Sequence, residues 1–150
     1  NYLYAQNINN VTTAGLETEI TVSQNLANNW LFNGTLGYAF TDFYGDEDVA
    51  SKYISNYARH LVNGIVSVSH GPVEGSVSTV WKKRQATQNA NINAFRSSVY
   101  SLWNVKLNYE ITQQIAFGIQ VDNIFDKENQ DVLGAQMPGR WAVGTVSWSL

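Results

Sequence analysis

The chain has 150 residues, enough for one ordinary domain, yet only 14% are charged while 13% are aromatic. A net charge of −3 and the lack of cysteine exclude general nucleic-acid affinity, disulfides and thiolate metal sites. No apolar run approaches the ~18–20 residues of a membrane helix, but a barrel strand needs only ~9–11 and shows alternation instead.

Alternation with period two recurs along the chain, as in strands whose two faces meet different surroundings. In residues 11–23, Leu16, Ile20 and Val22 oppose Glu17, Glu19 and Thr21, and residues 2–8 read as the distal part of this strand. In residues 30–43, Trp30, Phe32, Leu36, Tyr38 and Phe40 oppose Asn33, Thr35, Gly37 and Thr41. Residues 56–70 are less regular. Val62, Val66 and Val68 share a face, but Leu61 and Ile65 fall on the other, which calls for a bulge or an apolar cluster on the polar face. Residues 75–86 set Val77, Thr79 and Trp81 against Ser76, Ser78, Lys82 and Arg84, with Val80 on the polar side. In residues 98–109, Val99, Trp103, Val105, Leu107 and Tyr109 oppose Tyr100, Leu102, Asn104, Lys106 and Asn108. The cleanest pattern is in residues 115–125, where Ile115, Phe117, Ile119 and Val121 oppose Ala116, Gly118, Gln120 and Asp122. Residues 140–150 end with Val146, Trp148 and Leu150 against Thr145, Ser147 and Ser149.

Short turns near 24–29, 71–73 and 111–114 alternate with longer polar loops near 44–55, 86–98 and 126–139. Barrels of the outer-membrane type have short periplasmic turns and long outer loops, so the chain is expected to finish on the periplasmic side. The fold class expected is all-β: an antiparallel meander of about seven long strands. Seven cannot close a bacterial single-chain barrel, which uses an even number from about eight upward, so further strands are expected to complete it.

Three short passages carry a family resemblance. Val121-Asp122-Asn123-Ile124-Phe125-Asp126-Lys127-Glu128 resembles the NLFDKxY stretch in the penultimate strand of TonB-dependent outer-membrane receptors, with Asn129 where that family usually has Tyr. Met137-Pro138-Gly139-Arg140 resembles the PGR that enters their last strand, and residues 9–17 resemble a descending strand upstream. The resemblance implies that residues 1–150 form the C-terminal third of a transmembrane β-barrel in a bacterial outer membrane. It implies as partners the remaining barrel strands, a plug domain, the TonB complex acting through that plug, outer-membrane lipid and an imported small ligand. Family barrels end in an aromatic residue, whereas Leu150 stands last here.

The inward set Glu17, Glu19, Lys82, Arg84, Lys106, Glu110 and Asp122 reads as an ion-paired polar interior or as contacts to plug or ligand. The run Trp81-Lys82-Lys83-Arg84 is split between faces, leaving Lys82 and Arg84 together for a phosphate or carboxylate. Trp30, Phe32, Tyr109, Phe117 and Trp148 at one end, and Tyr38, Phe40, Tyr57, Trp81 and Phe125 at the other, match interfacial aromatic girdles. Trp141 has the opposite parity to Val146 and Trp148, which points it into the barrel mouth beside Arg140 unless a bulge after Gly139 reverses it. His60 and His70 lack a companion ligand set, and the cluster Asp46-Glu47-Asp48 lacks the spacing of a calcium loop. No catalytic constellation, metal site or cofactor motif emerges.

Residues 131–141 resemble cobalamin or siderophore receptors more than glycan importers, and the loops suit a compact ligand. The candidate ligand-binding residues are therefore Arg84, Arg96, Arg140 and Trp141. The alternatives are a soluble carbohydrate-binding module, a porin, or a barrel with a hydrolase at its rim. The first needs shorter strands, and the last needs a catalytic set.

Overall fold

Strict alternation leaves little freedom of register, because a slip of one residue would carry every apolar side chain to the polar face. The computed structural model, described over residues 12–44, 57–84, 98–132 and 135–149, shows the resulting strands. They are β1 (Thr12–Asn25), β2 (Trp30–Tyr44), β3 (Ala58–His70), β4 (Val73–Arg84), β5 (Val99–Glu110) and β6 (Ile115–Asp122). A short hairpin follows, β7 (Gln130–Val132) and β8 (Ala135–Gln136), and β9 (Trp141–Trp148) ends the described chain. The expected distal strand at 2–8, the acidic cluster at 46–48 and Arg96 lie outside the described residues.

Seven of these strands form one antiparallel sheet in the order β1-β2-β3-β4-β5-β6-β9, each beside its neighbour in sequence. This is the expected meander. The β7–β8 pair is separate from it and occupies the connection that reads as a plain polar loop in the sequence.

The turns explain themselves locally. His70 pairs with Val73, and Gly71 takes a φ of 55° ahead of Pro72. That is the arrangement of a two-residue turn with glycine at its first central position, whose twist suits a hairpin. Between β5 and β6, the Thr112 hydroxyl accepts hydrogen bonds from the Gln114 and Ile115 backbone N–H groups at 3.2 and 3.0 Å. β6 stops at Asp122, short of the expected 125, because Asn123 turns to a φ of 51°, a left-handed region that asparagine tolerates.

Register divides the sheet into two unlike faces. On one, Leu16 pairs with Phe40, Ile20 with Leu36, Val66 with Val77, Leu107 with Ile119, and Phe117 with Val146. On the other, Thr21 and Thr35 share a hydroxyl hydrogen bond of 3.2 Å, Ser23 donates to Asn33 at 2.7 Å, and Asn104 donates to Ser78 at 3.3 Å. No second layer covers the apolar face among the described residues: Ile20 is 63% and Ile119 53% exposed. Tyr100 is the only buried large hydrophobic residue described. A soluble sandwich would bury the apolar face against a second sheet. A sheet whose solvent on that side is lipid has no need to.

The irregularity of residues 56–70 is resolved by the pairing. The single register shift in β3–β4 lies between Ala58 and His60, and pairing is unbroken from His60 to His70. Leu61 and Ile65 therefore sit on the polar face, where Val80 and its partner Leu102 also lie. The apolar cluster is real.

Candidate functional site at the long-connection end of the polar face

The connection from β6 to β9 is held at its root by the residues of the two sequence motifs. The Asn123 side chain accepts from the Lys127 backbone N–H at 2.8 Å and donates to the Lys127 carbonyl at 3.0 Å and to the Pro138 carbonyl at 3.5 Å. The Asp126 carboxylate accepts the Arg140 backbone N–H at 2.7 Å. Gly139 lies so close to that carboxylate that an added Cβ would sit 2.7 Å from it. The Asn-x-x-Asp of one motif and the Pro-Gly-Arg of the other thus form one staple. Its geometry needs the glycine and the Arg140 backbone.

Beyond the staple, the connection lies over the polar face. Asp131 reaches β4 and β5. Arg84 donates to its carboxylate at 2.7 Å, Lys82 donates at 3.2 and 3.4 Å, and the Tyr100 hydroxyl donates to the same oxygen as Arg84. Arg84 also donates to the Gln130 carbonyl at 3.2 Å. The two cations lie over the Tyr100 ring, the Arg84 guanidinium 5.2 Å and the Lys82 ammonium 5.8 Å from its centroid. Arg84 is only 4% exposed and Tyr100 3%, so this is the most enclosed part of the described chain. Burial opposes the charge on Asp131, but hydrogen bonds from Tyr100, Lys82 and Arg84, with the Lys82 charge, hold its carboxyl below the ordinary range.

Asn129 is also enclosed, at 3% exposure, and neither its amide nitrogen nor its amide oxygen has a hydrogen-bond partner. It stands at the position that resembles the family's tyrosine.

The remaining candidates lie elsewhere. Trp141 pairs with Asp122, so no bulge reverses it; it shares the polar face and is 52% exposed. The Arg140 side chain is exposed, while its backbone serves the staple. Arg84 and Trp141 do not meet. Trp141 pairs with Asp122, one step beyond the row that joins Val121, Val105 and Val77, so it lies level with Ser78, six residues along β4 from Arg84 (84 − 78 = 6). At ~3.3 Å per residue that offset is about 20 Å along the strand. Tyr100 and Asp131 were not singled out by sequence. Tyr100 had the right parity, whereas Asp131 lies in a segment without periodicity.

The histidines occupy the ends of the apolar face. His60 accepts or shares a hydrogen bond with the Tyr38 hydroxyl at 2.9 Å, and His70 stacks on Trp30 with centroids 4.5 Å apart. No metal-binding group of three occurs among the described residues.

A single-layer antiparallel meander, apolar on one face and polar on the other, with a folded connection at its long-loop end, defines an arc of a membrane-spanning β-barrel. The comparisons agree. Residues 1–124 match the family described as TonB dependent receptor-like, beta-barrel, and the chain belongs to that family, whose members are outer-membrane receptors and not enzymes. It is similar to the ferric-pyoverdine BN7/BN8 receptor of Pseudomonas putida, 23% identical over 117 residues. The match covers 78% of this chain and 14% of that receptor, so the chain spans a small part of the relative's length.

Proposed function

We propose that the chain is the C-terminal part of an outer-membrane active-transport receptor that imports a scarce small ligand with energy supplied by the TonB complex. The observation that supports this best is the family membership over residues 1–124, joined to a polar face with an enclosed cationic cluster. Between cobalamin and a ferric siderophore, the similarity to a ferric-pyoverdine receptor favours the siderophore. A plug domain and further strands of the same receptor complete the barrel, outer-membrane lipid covers the apolar face, and TonB acts through the plug.

In this reading Arg140 and Trp141 meet the ligand near the entry to β9, Arg96 does so from the neighbouring long connection, and Arg84 acts from its cluster with Asp131. The separation along the register makes them two contact regions. Nothing in the described residues favours the soluble module, the porin or the rim hydrolase.

Uptake of radioiron-labelled ferric pyoverdine and of labelled cobalamin into cells carrying the full receptor, with and without TonB, tests the proposal. Saturable uptake of one of them that disappears without TonB is expected. Uptake that persists unchanged without TonB, or import of an oligosaccharide alone, would contradict it.

A further inference from the structure

The arrangement around Asp131 has the form of a filled binding site. Lys82 and Arg84 project from β4, and Tyr100 from the adjacent β5, where it pairs directly with Lys82. Both cations rest over the Tyr100 ring, a contact that does not involve Asp131. The three donors are therefore set in place by two neighbouring strands of the seven-stranded sheet. Their carboxylate acceptor arrives from outside that sheet, on a connection whose hairpin pairs only with itself.

We propose that Lys82, Arg84 and Tyr100 form an anion site on the polar face that Asp131 occupies as an internal surrogate, and that a phosphate or carboxylate group of an incoming ligand displaces it and frees the β6–β9 connection. This rests on the receptor reading above and assigns that receptor an anionic ligand class and a gate.

Three features carry it. Two cations face one carboxylate, and the only ion pairs these cations make among the described residues are with Asp131, so the site keeps a net positive charge when filled. A guanidinium with a nearby ammonium and a phenol suits an oxyanion, since all three donate and the oxygens of a phosphate or carboxylate group accept. The docked connection also carries a defect: the enclosed Asn129 amide has no partner at either atom. Release into water would satisfy it, which lowers the cost of letting go. The Asn123–Asp126–Arg140 staple is separate from the cluster, so the connection can lift at Asp131 and stay anchored at its root.

The test uses the full receptor in phospholipid vesicles, with spin labels at Gln136→Cys and Val99→Cys to report the distance from the hairpin to β5. Inorganic phosphate or citrate is expected to shift the distribution towards a released form, while chloride at equal ionic strength leaves it docked. Asp131→Asn is expected to be released without anion and to bind inorganic phosphate about tenfold tighter, as follows if the docked form outnumbers the released one by about ten to one. Asp131→Glu is expected to stay docked, which guards against a general folding defect. Phosphate and citrate both leaving the wild-type distance unchanged would overturn the proposal, as would Asp131→Asn binding phosphate no more tightly. The readout requires no import. TonB-dependent uptake with no anion-driven release defeats the gate alone; release without TonB-dependent uptake defeats the receptor reading alone.

Discussion

Asp131 is the residue on which the loop end of the sheet turns, because among the described residues it alone ties the β6–β9 connection to β4 through ion pairs, and it accepts from Tyr100 of β5 as well. Lys82 and Arg84 face it from β4 and Tyr100 from β5. A carboxyl held below its ordinary value contributes stability that is complete above that value, about 3.9, and is lost as pH falls through the lowered one. Docking of the connection is therefore expected to be constant from neutral pH down to the ordinary carboxyl range and to weaken only as pH falls below it. Hydrogen exchange of residues 127–137 across that range would show it; protection that fails instead between pH 6 and 7 would implicate a different group. Gly139 gives a second test at this scale. In Gly139→Ala the new Cβ would force the Asp126 carboxylate off the Arg140 N–H, costing about 1–3 kcal/mol locally. Faster exchange across the staple, with the β-sheet amides unaffected, is the expected result.

Among the elements, β6 exposes the logic of the sheet most plainly. Ile119 pairs with Leu107 on one side and Gly144 on the other, and Gln120 pairs with Lys106 and Val143 on the opposite face. A lysine at 119 would place its charge at mid-membrane against lipid, costing ~2–4 kcal/mol, while one at 120 would face the polar interior. Ile119→Lys is expected to reduce folding yield into lipid vesicles, and Gln120→Lys to fold like the wild type. Equal yields would remove the basis for assigning the faces. The strands were legible in the sequence because lipid tolerates almost nothing but apolar side chains, so each strand writes its own register. Leu61, Ile65, Val80 and Leu102 blurred that reading, since a polar interior accepts apolar residues at little cost. The Asp131 cluster was not legible. Its partners lie 49, 47 and 31 residues away, on strands whose own pattern says only which face they occupy. The motif residues were visible as a resemblance, but that Pro138, Gly139 and Arg140 serve Asn123 and Asp126 through backbone groups needed the fold.

At the scale of the whole molecule, this sheet is an arc of a transmembrane barrel with its apolar face turned to lipid. The family membership over residues 1–124 and the uncovered apolar face support it by independent routes. Single spin labels placed in turn at positions 115–121 of the full receptor in vesicles test it most directly, by comparing collisions with lipid-soluble oxygen and with a water-soluble nickel chelate. Strict alternation is expected, with oxygen favoured at 115, 117, 119 and 121 and the chelate or neither reagent favoured at 116, 118 and 120. Uniform access of the chelate along the strand, or alternation of the opposite parity, would contradict it.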